Sequence, residues 1–266
     1  MKKSVRRRRV IGRAFVRLVG IAQNPLCVIR LLLRDLDWRG DFRIGRLVLS
    51  ARGADIGAIS DVAIEDEYGF VRALDFPSTS ALILDLGANV GCFSALVLST
   101  WPDSEVHSIE PSPDTFAILS ENRERYPRLR WHTHRLAIAA SSGTVLFHNE
   151  GPSTSRKLSP SATTGVAVEA EEFDSFVKRV AGQRRVFICK MDIEGAEVPI
   201  FAGPMDSLSQ IDHFIVEVHG PAENAKAAMD RLSAAFPHVE VVQGRRSSKP
   251  MIHAWRVAPP DGAPTL

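Results

Sequence analysis

The segment that decides the fold is "ALILDLGANVGCFSALVLSTW", residues 81–101. Its first half is a short apolar run that ends in Asp85 and Gly87, and its second half places apolar residues at helical spacing. This order predicts a buried strand, a glycine turn and a helix. Gly87 and Gly91 allow the backbone to turn tightly and to approach a ligand closely, and the helix start adds unpaired N–H groups.

Strands and helices are predicted to alternate along the rest of the chain. Apolar runs predict strands at 105–111, 129–140, 185–192 and 211–220, a hairpin at 141–150 that turns at Gly143, and a closing antiparallel pair at 239–243 and 251–257. Ser112 and Pro113 are expected to open one of the intervening helices as its N-cap and first residue. The predicted fold is α/β, with a doubly wound, mostly parallel seven-stranded Rossmann-like sheet that ends in a C-terminal antiparallel hairpin.

Positive charge is concentrated at the N-terminus. Residues 1–46 contain 13 Lys and Arg against 3 Asp and Glu, whereas the remaining 220 residues contain 20 against 28. In this head, Ile11, Phe15 and Leu18 recur at helical spacing opposite a row of arginines: Arg6, Arg9, Arg13 and Arg17. We predict a basic amphipathic helical extension at 1–45 and a single domain at 46–266. The helix is expected either to contact an anionic membrane surface or to dock on its own domain.

Several protein classes are disfavoured by the composition. The three cysteines, Cys27, Cys92 and Cys189, form no C-x-x-C pair, so neither a zinc site nor a disulfide framework is expected. Arginines interrupt the apolar part of the head, which disfavours a signal peptide, and no apolar run is long enough for a transmembrane helix. The acidic body disfavours a nucleic-acid binder. A cytoplasmic protein, or one peripheral at the inner face of the membrane, is the expectation; the sequence leaves its oligomeric state open.

The glycine loop favours a positively charged nucleoside as its ligand. In "DLGANVG" (85–91), Asn89 stands where a dinucleotide-binding loop has a glycine that allows close approach of a diphosphate. Asp85 at the same loop suits a cationic group, and Glu110 at the end of the second strand suits ribose hydroxyls. S-adenosylmethionine combines these properties. The alternative is that Asp85 only caps a turn and that Glu110 is a solvated strand end.

A set of motifs resembles the FkbM family of S-adenosylmethionine-dependent methyltransferases. The motifs are "LDLGANVGCFS", "IEP", "CKMDIEGAE" and "IVEVH", and the resemblance extends over about residues 45–257. It implies a methyltransferase sheet and methyl transfer to a hydroxyl of a sugar, lipid-linked glycan or secondary metabolite. It also implies that Asp85, Gly87, Asn89 and Gly91 contact the methionine end of the cofactor, that Glu110 holds the ribose, and that residues around Ala137 flank the adenine.

The catalytic candidates are polar residues at predicted strand ends. Asp192 is the first candidate, either for the methionine amine or for the acceptor hydroxyl, and its alternative role is to cap a helix that begins near residue 195. Glu194 is a second catalytic candidate; its alternative role is that of an acid which the helix dipole favours at the start of the helix. His219 is a candidate base or a structural histidine. Glu197 is expected to be a solvated or dipole-complementing acid, and Lys190 to pair with a carboxylate.

Other functions stay open at this point. The three acids after residue 191 have the chemistry of magnesium ligands, but no further ligand accompanies them in the sequence, so we expect no metal site. The alternatives to an O-methyltransferase are an NAD-linked oxidoreductase, a non-catalytic nucleoside-binding module and an RNA methyltransferase. For the last, affinity would depend on the basic head and fall steeply with salt.

Overall fold

A computed structural model describes residues 17–23, 38–77, 80–147, 165–242 and 250–256. Within these ranges the strands are β1 (Arg39–Ile44), β2 (Leu47–Arg52), β3 (Leu82–Leu86), β4 (Glu105–Ile109), β5 (Arg130–His134), β6 (Ala137–Ala139), β7 (Gly143–Phe147), β8 (Val166–Glu172), β9 (Val186–Met191), β10 (Ile211–Glu217), β11 (His238–Val242) and β12 (Met251–Trp255). The α-helices are α1 (Ile56–Ala63), α2 (Cys92–Thr100), α3 (Pro113–Glu124), α4 (Phe173–Ala181), α5 (Glu197–Ala202) and α6 (Ala222–Ala235).

The central sheet has seven strands in the order β11-β12-β10-β9-β3-β4-β5. β3, β4, β5, β9 and β10 run parallel, whereas β12 is antiparallel to both of its neighbours. The predicted doubly wound sheet with a closing antiparallel pair is therefore confirmed. β3 lies between β4 and β9, so the chain changes direction across the sheet at β3, which is where such sheets bind ligands.

Two apolar cores cover the faces of this sheet. The first contains buried residues of α1, α2 and α3 with the β1–β2 hairpin, and the second contains those of α4, α5 and α6. Successive residues of β3 alternate between them, with Ile83 in the first core and Leu84 in the second. Because both faces are covered, β3 is buried over its whole length, as its continuous apolar pattern predicts.

The region after β5 differs from the prediction. The single strand predicted at 129–140 is two short strands, and the hairpin predicted around Gly143 is wrong. β7 instead pairs antiparallel with β8, which also pairs parallel with β6, and the three strands form a separate sheet. Gly143 is a local turn signal, but the partner of its strand begins at Val166, so the pairing is non-local.

The N-terminal part of the described chain packs on the body. Residues 17–21 are helical; Leu18 is buried in the first core, and Arg17 donates to the carbonyl of Ile64 at 3.1 Å. The next described residues form the β1–β2 hairpin, whose turn contains Gly45. The boundary predicted at residue 45 lies at this turn, and the division into two domains stays a prediction. The rest of the predicted head, including Arg6, Arg9 and Arg13, lies outside the described residues.

The local signal for the start of α3 is confirmed. Ser112 is the N-cap of α3, and Pro113 is its first residue. No helix in the described ranges combines the length and the apolarity needed to cross a bilayer.

Candidate active site

A cleft opens at the carboxyl ends of β3, β4 and β9. The glycine loop after β3 and the segment after β9 form two of its walls, and Ala137 with Phe147 of the smaller sheet forms another. A further wall comes from the region before β3, through Asp61, Glu67 and Tyr68. The cleft therefore lies at the change of direction in the sheet, where the topology places a ligand site.

The glycine loop is held against the neighbouring strands by its backbone. The N–H groups of Gly87 and Ala88 both donate to the carbonyl of Ile109, at 3.0 and 2.8 Å. Gly87 has φ +79°, and a Cβ at this position would overlap the carbonyl oxygen of Asp192. Gly91 has φ +95°, and its Cβ would come within 2.6 Å of the Trp131 ring. Both positions consequently require glycine for a close approach as well as for the turn.

Glu110 is fixed at the wall of the cleft by two backbone donors. Its Oε2 accepts from the N–H of Asn89 at 3.1 Å, and its Oε1 accepts from the N–H of Ser112 at 2.9 Å. Asn89 has a left-handed φ of +52°, which directs its N–H towards this carboxylate. The side chain is thus pre-positioned between the glycine loop and the start of α3, and the alternative of a solvated strand end is wrong because Glu110 is only 7% exposed.

Asp85 and Lys190 form a buried ion pair beneath the glycine loop. Asp85 is fully buried, accepts from the hydroxyl of Ser94 at 2.6 Å and lies 3.2 Å from the Lys190 ammonium. Lys190 also donates to the carbonyl of Gly87 at 2.8 Å. Burial lowers the pKa of Lys190, but the Asp85 and Asp192 carboxylates outweigh burial and raise it, so the ammonium stays charged. The pairing predicted for Lys190 is confirmed.

Asp192 and Glu194 lie in the loop between β9 and α5, and both line the cleft. The proposed capping role of Asp192 is wrong, since α5 begins at Glu197 with Ala196 as its N-cap. The side chain of Asp192 is 26% exposed, while its Oδ1 is buried without a hydrogen-bond partner among the described residues. Burial raises the pKa of Asp192 to about 6, with Lys190 opposing the shift and the Glu217 carboxylate adding to it.

His219 lies at the centre of four carboxylates. Its Nδ1 is 2.7 Å from Glu197, and its Nε2 is 3.1 Å from Glu194, 3.7 Å from Glu217 and 3.8 Å from Asp192. Burial lowers the pKa of His219, but its contacts with Glu194 and Glu197 outweigh burial and raise the pKa to about 10. The expectation of a solvated Glu197 is wrong because this side chain is fully buried.

Comparison with known protein families matches residues 85–243 to the Methyltransferase FkbM domain. The chain belongs to the FkbM methyltransferase family. The resemblance of its motifs is thereby confirmed.

Three curated relatives of this FkbM chain are methyltransferases by name. It is 30% identical over 173 residues to hexuronic acid methyltransferase AglP of Haloferax volcanii, which is 62% of this chain and 66% of that protein. It is 25% identical over 165 residues to methyltransferase 1 of Beauveria bassiana, which is 54% of this chain and 66% of that protein. It is 26% identical over 147 residues to 2-O-methyltransferase NoeI of Sinorhizobium fredii, which is 48% of this chain and 59% of that protein. The chain therefore spans no more than about two thirds of each relative.

The FkbM cleft brings together most of the residues predicted from sequence. The predicted cofactor and catalytic residues on its wall are Gly87, Asn89, Glu110, Ala137, Asp192 and Glu194. Asp85, Gly91 and His219 are not among the described residues that line it. Asp85 lies behind the glycine loop with Lys190, Gly91 packs against Trp131, and His219 lies behind the three acids of the wall.

Sequence reasoning missed Tyr68 and Glu217 as parts of the cleft. Glu217 ends β10, two residues before the candidate base His219. Tyr68 lies in "DVAIEDEYGF" (61–70), which precedes β3 and has no local pattern typical of a ligand site. Burial and then the Asp192 and Glu217 carboxylates raise the pKa of Tyr68 well above its usual value, so its phenol stays a neutral donor beside the acids.

Among the described residues, two groups of side chains lie close enough together to bind a metal ion. Asp192, Glu194 and His219 offer ligand atoms within 4.8 Å of one another, as do Glu105, His107 and His132. Glu105 is occupied by ion pairs with Arg130 and Arg184. In the first group, protons on both ring nitrogens of His219 would satisfy the neighbouring carboxylates without an ion. The expectation of no metal site stays a prediction.

Proposed function

We propose that this protein is an S-adenosylmethionine-dependent O-methyltransferase that acts on a hydroxyl of a sugar or glycan. The observation that carries the proposal is the anchored Glu110 carboxylate beside the glycine loop, inside an FkbM domain. A carboxylate at this place, after the second parallel strand, has the chemistry needed to accept from two ribose hydroxyls. The names of the AglP and NoeI relatives support a sugar acceptor.

The shape and the charge of the cleft support this cofactor. The absence of a Cβ at Gly87 lets the loop pass close to Asp192, and Ala137 with Ile138 gives an apolar wall of the kind that suits a purine. Among the described residues, the wall of the cleft carries six carboxylates and one cation. The cation is Lys190, and the carboxylates are those of Asp61, Glu67, Glu110, Asp192, Glu194 and Glu217. This excess of negative charge favours a sulfonium ligand over a diphosphate and argues against the NAD-linked alternative.

When bound, S-adenosylmethionine supplies an activated methyl group to the acceptor oxygen. The work left to the chain is alignment, exclusion of water and removal of the hydroxyl proton. Asp192 is the proposed base because its pKa of about 6 lies near neutral pH and its side chain reaches the cleft. Glu194 borders the same part of the wall and is proposed to orient the acceptor.

Calorimetry with S-adenosylhomocysteine and NAD, followed by methyl-transfer assays on neutral sugars and uronic acids, tests this function. We expect the first ligand alone to bind and a sugar hydroxyl to be methylated. Binding of NAD in preference to S-adenosylhomocysteine would overturn the proposal. Cofactor binding without turnover on any acceptor would favour a non-catalytic module, and salt-sensitive methylation of RNA would favour the nucleic-acid alternative.

A further inference from the structure

Glu197 holds His219 in one orientation behind the cleft. Its Oε1 accepts from both the backbone N–H and the ring Nδ1 of His219, each at 2.7 Å. Its Oε2 accepts from the N–H of Gly195 at 2.8 Å. The carboxylate is fully buried and bonded at both oxygens, so it fixes the imidazole ring and requires a proton on Nδ1.

The other ring nitrogen, Nε2, has three carboxylates around it. Nε2 lies 3.1 Å from Glu194, 3.7 Å from Glu217 and 3.8 Å from Asp192. A nitrogen lone pair and a carboxylate oxygen cannot hydrogen-bond to each other, so this arrangement is favourable only if Nε2 also carries a proton. With both nitrogens protonated, His219 is an imidazolium beside the carboxylates of Asp192, Glu194, Glu197 and Glu217.

We infer that Glu197 is a positioning residue which holds the His219 imidazolium as the counter-ion of the three carboxylates that line the cleft. Asp192, Glu194 and Glu217 reach the cleft wall, whereas His219 acts through them. The raised pKa of His219 agrees with this geometry. Lys190, 3.9 Å from Asp192, supplies the second nearby cation.

This inference rests on the proposed function, because it assigns His219 a role other than the base. With the imidazolium in place, Asp192 stays ionised near neutral pH and can accept the hydroxyl proton. Without it, the remaining carboxylates repel one another and Asp192 holds its proton to higher pH. A loss of one positive charge at this distance is expected to move the acidic limb of the rate profile upward by about one pH unit, or tenfold in rate at a fixed pH on that limb.

The first test uses nitrogen-15 NMR of the histidine rings in the full chain. At pH 7.5 both ring nitrogens of His219 are expected to be protonated in the wild type, and Nε2 to lose its proton at a lower pH in Glu197→Gln. An unprotonated Nε2 in the wild type would overturn the inference. Selective broadening of the His219 signals by micromolar Mn²⁺ would also overturn it, in favour of a metal ion. Neither readout needs methyl transfer, so this test is separate from the proposed function.

The second test compares pH profiles of methyl transfer for His219→Asn, Glu197→Gln and the control His107→Asn. His107 also pairs with a glutamate, Glu105 at 3.1 Å, but away from the cleft. We expect kcat of His219→Asn to fall nearly tenfold (about 9-fold) at pH 5 and about threefold at pH 6.5, and to recover above pH 8.5, with KM little changed, and a smaller shift in Glu197→Gln. A loss that does not recover at high pH, or an equal shift in His107→Asn, would show that the role is only structural.

Discussion

The replacement of Glu110 by Gln probes the ribose assignment while it preserves size. Each oxygen of Glu110 accepts from one backbone N–H, of Asn89 and of Ser112, and a glutamine can offer an acceptor to only one of them. The loss of one charge-assisted bond in the fold is expected to cost about 1.5–3 kcal/mol. The same change turns one acceptor for the ribose hydroxyls into a donor, and we expect the Kd to rise about 10- to 100-fold, since each tenfold change is about 1.4 kcal/mol.

Isothermal calorimetry with S-adenosylhomocysteine measures this affinity, and a thermal melt of the same samples separates binding from unfolding. Glu124→Gln is the matched control, because Glu124 lies exposed at the end of the same helix, α3, which Glu110 precedes. The control is expected to leave both the Kd and the melting temperature unchanged. A folded Glu110→Gln protein with the wild-type Kd would refute the assignment of Glu110 to the ribose.

Three further perturbations follow from the site and the core. Gly87→Ala is expected to destabilise the fold by about 3 kcal/mol or more, because the added Cβ would overlap a backbone carbonyl and residue 87 has a positive φ. Urea denaturation measures this loss. Gly20→Ala is the control, because a Cβ at residue 20 would have no atom within 4 Å. Asp192→Asn is expected to keep cofactor affinity and to slow turnover about 100-fold or more, and a wild-type kcat would remove it as the base. Burial lowers the pKa of His213 to about 4 and that of His253 to about 3. The stability that these two neutral rings contribute is therefore complete above about pH 6.5 and is lost as the pH drops towards 4, by up to about 1.4 kcal/mol per pH unit for each proton. Denaturation midpoints that stay constant between about pH 6.5 and pH 4 would contradict this prediction.

The features that sequence predicts well here are the local ones. The apolar run of β3, the glycine turn and the Ser112–Pro113 start of α3 depend on neighbours within a few residues, and all are present. The pairing of β7 with β8 joins residues that are distant in sequence, such as Gly143 with Ala170 and Phe147 with Val166. The turn signal at Gly143 therefore predicted the wrong partner strand.

The candidate site shows the same division. Gly87, Asn89, Glu110 and Asp192 are carried by strand ends and fall on the cleft as predicted. Glu197 does not, because its partner His219 comes 22 residues later at the end of another strand. A helical pattern alone cannot tell a solvated acid in a first turn from one that turns inward to a buried imidazole.

The central claim is that this cleft binds S-adenosylmethionine through the glycine loop and Glu110. A crystal structure of the chain with S-adenosylhomocysteine tests it most directly. The account predicts the ligand in the cleft, with its ribose hydroxyls bonded to Glu110, its adenine beside Ala137 and its sulfur near Asp192. A ligand bound elsewhere, or an adenosine turned away from Glu110, would contradict it.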